Sequence, residues 1–319
     1  MKTINGLIPI SEGKKALAFL KNANLETVKF DEIKRHTDIL VKCGFMAGEF
    51  TPNSHWIFRG VVVDVEEIPN IKKVGRISYR PRKKNDPSLL KRASSNKYQI
   101  FYGSIPTPDF GDAGIASILE IDNIREENFP EDQYEYVVIG MWFIKKTFLA
   151  ASVGMHSTIA ENSNWAKNIV IQDKGIYEHI DDTGFISEVM QFIGSEFSKN
   201  VPKEKEYLYK ISAAYGDSLF DLGIDSILFP SVKTAARSFN VAIMSNVVDN
   251  QFIDIETSAI TRGSKIEKEV FWGWYLQCPK VYGDDLKWSE PPGFSQISQN
   301  DLSYFRKIIA ANGKFMNPA

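Results

Sequence analysis

Along this 319-residue chain the spacing of apolar side chains changes period several times, and each change predicts an element. Residues 11–44 have helical spacing. Ser11 is placed to cap "EGKKALAFLKN", and Asp31 to cap a second helix with Ile33, Ile39, Leu40 and Cys43 inward and Gly44 as its terminator. From His55 the period drops to 2 and predicts strands over 56–64, 74–80 and 98–104, with the basic stretch "RPRKKNDPSLLKR" as a loop. Helical spacing returns over 112–121, where Asp112 is an N-cap and Ile115, Ile118 and Leu119 form a narrow apolar stripe. Strands follow over 134–144 and 147–154. Helices come next over 184–198, burying Ile186, Val189, Met190, Ile193 and Phe197, and over 203–221. Buried strands over 225–232 and 239–245 lead into a β-rich extension and a last helix near 300–311 that ends at Gly313.

Strands interleaved irregularly with helices, without an internal repeat, predict an α+β fold rather than a regular doubly wound sheet. One predicted strand raises a question of its own. In "VGRISYRP", residues 74–81, period 2 puts Arg76, Ser78 and Arg80 on one face and Ile77, Tyr79 and Pro81 on the other. Water on an edge strand is the ordinary partner for such a polar face.

Composition narrows the function classes. Hydrophobic residues make up 43% of the chain, enough for a real core, and 38 basic against 40 acidic residues give no global attraction to nucleic acid or an anionic membrane. The N-terminus lacks the apolar core of a signal peptide, and the longest apolar run, "VVIGMWFI" at 137–144, stops at Lys145 and Lys146. A cytoplasmic protein without a membrane span is expected. Cys43 and Cys278 are too few and too far apart for a disulfide framework or a metal knuckle, and are read as reduced and structural. Four scattered histidines, with no H-E-x-x-H and no C-x-x-C, argue against a catalytic metal. G-x-G-x-x-G, P-loop and G-x-S-x-G signatures are also absent.

Five short motifs nevertheless occur in one order: "FRG" at 58–60, "VGRISYRP" at 74–81, "IFYGSI" at 100–105, "AGIASILE" at 113–120 and "GIDSILFPSV" at 223–232. The series resembles the RES-domain family, NAD-consuming toxins with a fold similar to the ADP-ribosyltransferases. The resemblance spans residues 55–246. It implies an ADP-ribosyltransferase-like arrangement of mixed and antiparallel sheets around an NAD cleft, a helical N-terminal extension over 1–54, and a C-terminal extension over 247–319 packed on the core. It also implies Arg59, Glu120 and Tyr79 as catalytic residues and Arg76, Tyr102, Ser231 and Asn240 as substrate-binding ones. NAD would be the substrate rather than a cofactor, phosphate or water an acceptor of ADP-ribose, and a cognate antitoxin protein a partner. The helical preface, the long stretch between Glu120 and Ser231, and the tail after 246 depart from the compact family pattern.

The residue types suit that chemistry without the family. The nicotinamide–ribose bond breaks through an oxocarbenium-like state, much as a glycosidic bond does, and needs positioning and negative charge rather than a metal. Arg59 and Arg76 can fork onto pyrophosphate, or simply form salt bridges. Tyr79 and Tyr102 can face the cationic pyridinium, or be core. Glu120, with a reference pKa of ~4.3, can meet the developing cation, although it lies just off the apolar stripe where a solvated residue would also sit. Ser231 can bind phosphate or cap a turn. A regular strand would put Arg76 and Tyr79 on opposite faces.

Two other readings stay open. The same cleft can pass ADP-ribose to a protein, as a mono-ADP-ribosyltransferase does. Residues 72–92 hold nine basic residues against Asp86 alone, which suits a nucleic-acid-binding module, but few aromatics interleave for base stacking and nucleic acid is the weaker expectation.

Overall fold

Ile10–Asn22 forms α1 and Phe30–Cys43 forms α2. Both helices begin a residue ahead of the expected caps, because Ile10 and Phe30 themselves pack against the core. Pro9 and Lys29 occupy the N-cap positions without side-chain caps, and the Pro9 carbonyl accepts the N–H groups of Glu12 and Gly13. Ser11 and Asp31 therefore lie inside the first turns, where Asp31 still favours the positive end of the helix dipole. The computed structural model describes every residue except 1, 6–7, 53–54, 80–89, 96, 111–112, 122, 127–128, 131–132, 156–157, 172–183, 267–268 and 291–319. The expected Asp112 cap, most of the basic loop and the final helix near 300–311 lie outside the described residues.

The strands are β1 (Lys2–Asn5), β2 (Gly44–Phe50), β3 (Trp56–Val63), β4 (Ile100–Ile105), β5 (Tyr134–Ile144), β6 (Phe148–Ser152), β7 (Ser226–Pro230), β8 (Phe239–Met244), β9 (Ile253–Ile266) and β10 (Glu269–Cys278). They form one ten-stranded sheet in the order β1-β2-β6-β7-β8-β4-β3-β5-β9-β10. Every neighbouring pair is antiparallel except β6 and β7. The remaining helices are α3 (Ala113–Leu119), α4 (residues 164–171), α5 (Phe185–Phe197), α6 (Lys210–Asp221) and α7 (Ser245–Asp249). The fold is α+β. The expected helix over 203–221 divides into a 3-10 turn, Lys203–Tyr209, and α6, with a break in helical geometry at Lys205.

Two cores lie on opposite faces of β7, β8 and β4. Alternation along each strand decides which side chain joins which core. Ile227, Phe229 and Ala242 face a helical cluster made of Leu17 and Leu20 of α1, Ile33 and Leu40 of α2, Ile193 and Phe197 of α5, and Tyr215 and Leu219 of α6. Leu228, Val241, Ile243, Phe101 and Ile105 face the other way and meet Ile57 of β3, Val138 and Trp142 of β5, and Ile255 and Ile260 of β9. Cys43 and Cys278 are buried and free, one in each cluster. Among the described residues no helix is long and apolar enough to cross a membrane.

Two sequence expectations fail here for local reasons. Val74–Ile77 is a 3-10 turn, not a strand: Arg76 N–H bonds the Lys73 carbonyl, and only Lys73 makes a bridge, to Asp285. Ile77 is buried while Arg76 is exposed, so the turn keeps the polar–apolar contrast of the sequence without a ladder. On α3 only part of the expected stripe is inward: Ile118 is buried and Leu119 half-buried, but Ile115 is not. Ile115 is 38% exposed, and Ala113, Gly114, Ala116, Ser117 and Ile118 are buried. Small residues are needed because α3 lies close on β3: a Cβ on Gly60 would come within 3.1 Å of the Ser117 carbonyl oxygen.

α6 makes a closer approach. A Cβ on Gly216 would lie 2.1 Å from the Ala93 carbonyl oxygen, a backbone atom that cannot swing aside. Gly216→Ala gains about 1 kcal/mol of helix propensity but should still destabilise the protein by about 2 kcal/mol through overpacking. A lower urea midpoint at unchanged m-value is the expected result, and an unchanged or higher midpoint would show that the backbone at Ala93 yields freely.

Candidate functional site

The middle of the sheet is where the nominated residues collect. β3 pairs with β5 along its whole length, from Trp56↔Phe143 to Val63↔Tyr136, and β4 pairs with β8 from Ile100↔Met244 to Ile105↔Phe239. β3 and β4 meet only at Phe58↔Ser104. A Cβ on Gly103 would lie 2.5 Å from the Ile57 side chain and 3.1 Å from the Phe58 carbonyl oxygen, so glycine is what lets the strands touch there before they part.

Arg59 lies beside this junction, on the Phe101 side. Its Nε donates to the Ser78 carbonyl at 3.0 Å, its Nη1 to the Tyr102 carbonyl at 2.6 Å, and its guanidinium lies 5.1 Å from the Phe101 ring centre. Burial lowers its pKa to about 10, so it is cationic at neutral pH. Nη2 has no partner among the described residues. Tyr102 points to the opposite face from Phe101, packs against the helical cluster and shares a 3.1 Å hydrogen bond with Ser94 Oγ. Burial raises its pKa to about 12, so the phenol stays protonated.

Glu120 follows the last turn of α3, and Ser231 follows β7. Ser231 Oγ donates to Glu120 Oε1 at 2.5 Å across 111 residues of sequence. Ser231 is fully buried and is held by its own turn: its N–H bonds the Ser238 carbonyl, its carbonyl accepts from Ala236 N–H, and its Oγ accepts from Thr234 N–H. Ala235 and Ala236 adopt left-handed φ values of 50° and 62°, a strained conformation for alanine that keeps this turn tight. Glu120 Oε2 has no partner among the described residues. On β8, Asn240 is 7% exposed, and its Oδ1 accepts from Ser104 Oγ at 3.0 Å.

Two nominated residues stand apart from that group. Arg76 forms an exposed 2.7 Å ion pair with Glu67, and Tyr79 donates to Asp249 Oδ1 at 2.7 Å while packing against the second core. Arg59, Arg76 and Tyr79 thus lie on the Phe101 side of the boundary, and Tyr102 and Asn240 lie on the other face. Ser231 is joined to Glu120, and the structure shows no contact between Arg59 and Glu120. The sequence reading missed Ser104, Ser94 and Phe101. Ser104 had a signal: a hydroxyl two positions after Tyr102, on the same face of an otherwise apolar strand.

Chemically, one face of the sheet carries the Glu120 carboxylate bonded to a buried hydroxyl, with the buried Asn240 carboxamide further along the strands. The Arg59 cation lies on the other face without contact to Glu120. Among the described residues no cluster of three or more His, Cys, Asp or Glu side chains is placed to hold a metal ion. No protein-family model matches this chain, and no curated protein matches it.

The two arginines should separate in stability. Arg59→Lys keeps the charge but cannot reach both carbonyls, and should cost about 2 kcal/mol. Arg76→Ala removes an exposed pair worth under about 1 kcal/mol. Urea unfolding of both variants checks this, and equal losses would contradict the assigned burial.

Proposed function

We propose that the protein cleaves the nicotinamide–ribose bond of NAD and passes ADP-ribose to phosphate or water, as RES-type toxins do, on an ADP-ribosyltransferase-like scaffold. The observation that carries this reading is the Ser231–Glu120 hydrogen bond. The motif order nominated both residues, and folding joins them across 111 positions. A solvated helix glutamate would have no reason to meet a fully buried serine.

In this reading the Glu120 carboxylate faces the anomeric carbon. As the C1′–N bond breaks, its electron pair returns to the pyridinium nitrogen and nicotinamide leaves neutral. The positive charge that grows on C1′ and the ring oxygen is stabilised by Glu120 through space. An oxygen of phosphate or water then bonds to C1′, and in the case of water a proton is released to solvent. Ser231 holds Oε1 and leaves Oε2 for the substrate. Arg59 would offer Nη2 to the pyrophosphate, while Tyr102 contributes only its backbone carbonyl to Arg59 and keeps its neutral phenol on the other face. A mono-ADP-ribosyltransferase would use the same cleft with a protein acceptor. An antitoxin partner and a cytoplasmic setting belong to the same proposal.

The test is nicotinamide release, followed by chromatography on purified protein with NAD, with and without phosphate. Glu120→Gln keeps the shape and the Ser231 contact but removes the charge, so kcat should fall by about 10²-fold or more while NAD affinity, read by calorimetry, largely survives. Turnover at the parental rate in Glu120→Gln would sink the assignment.

A further inference from the structure

Ser104 occupies an unusual place. It is 2% exposed, sits in the one residue pair that joins β3 to β4, and donates to Asn240 Oδ1 from the directly opposite position on β8. On the same face of the sheet the adjacent Ala242 and Phe229 are buried and apolar, while Ile105, Phe239 and Val241 point to the other core. Stability alone does not call for a Ser–Asn pair there, because replacing both partners of a buried hydrogen bond by apolar groups of similar shape is close to neutral. The pair is also incomplete: the Asn240 nitrogen has no partner among the described residues. With its oxygen pinned and no described residue on its nitrogen, which is not one of the sealed and unsatisfied side-chain atoms, the carboxamide can offer its N–H groups to water or to a ligand.

Strand register says what it faces. Asn240 stands opposite Phe229, and two residues further along, Ser231 N–H bonds Ser238, placing the Glu120-bearing pair about 7 Å away at strand rise. Tyr102 lies two residues from Ser104 on the same face. We infer that Ser104 is a positioning residue that fixes the Asn240 carboxamide so that its N–H donates to an acceptor oxygen on the nicotinamide half of the bound dinucleotide. This rests on the NAD-cleaving reading. Ser104 touches no substrate atom; it selects the Asn240 rotamer and decides which end of the amide points outward. The tight approach of Gly103 to Ile57 and Phe58 holds β4 still at this position, so the hydroxyl cannot drift.

A double-mutant cycle tests the inference on the full chain, using NAD as the probe. Ser104→Ala should raise KM and the calorimetric Kd for NAD by about tenfold, with a smaller change in kcat. In an Asn240→Ala background the same change should have no further effect on Kd, because the amide it positions is gone. Ser104→Cys, near in volume and a weaker donor, should fall between parent and Ser104→Ala. Urea midpoints of all variants report folding, and the doubly apolar variant gives a folded reference if Ser104→Ala is unstable. An active parent whose Ser104 and Asn240 effects on Kd add independently would overturn the inference alone. A parent that neither binds nor cleaves NAD would overturn the underlying reading, and this inference with it.

Discussion

The junction between β3 and β4 is the constraint on which the rest of the structure depends. Two well-paired runs of strands, one ending at β4 and one beginning at β3, meet at a single residue pair, Phe58↔Ser104. Strands that part leave carbonyls without ladder partners, and buried carbonyls must be satisfied by something else. Arg59 does this for the Tyr102 carbonyl, and at the same time ties down the 3-10 segment through the Ser78 carbonyl. Its charge is held in a desolvated place because a planar fork can serve both carbonyls while stacking on Phe101. A lysine has neither the reach in two directions nor the flat face.

The same junction gathers the polar groups that a reaction centre would use. α3 crosses at the boundary, packed so closely on Gly60 that its inner face is built mostly from alanine, glycine and serine, with Ile118 as the one large side chain. That closeness delivers Glu120 to the end of β7, where a strained turn presents Ser231. Strain in that turn is retained because Ser231 accepts from the Thr234 and Ala236 N–H groups and donates its own N–H to the Ser238 carbonyl, which over-determines it. The groups are therefore held by backbone on both sides rather than by loop tips.

Much of this was legible beforehand, and the failures have particular causes. β3, β5, α5 and β8 fall within two residues of their expected bounds, because long apolar runs with a steady period depend little on their surroundings. β2 went unseen because "GFMAGEF" follows α2 directly and its strand character comes from pairing with β1 and β6. The segment 74–77 alternates like a strand but becomes a turn, since periodicity records which side chain is buried and not whether a neighbour is there to pair. Residues at the site show the same division. Glu120 and Ser231 could be nominated by motif order; that they bond to each other is a property of the fold. Ser104 carried a signal as a hydroxyl on an otherwise apolar strand, but its partner, Asn240, lies 136 residues away and could not be read from that signal.

Arg59 poses the sharpest demand on the proposed chemistry. It lies over Phe101, on the face opposite Tyr102 and Asn240, so a ligand that used both it and Glu120 would have to pass the strand boundary. In the proposed chemistry Arg59 would therefore carry two duties that compete for one guanidinium. Nε and Nη1 are engaged with backbone, and only Nη2 remains for a phosphate, which makes its contribution to binding inseparable from its contribution to the junction unless stability is measured alongside affinity.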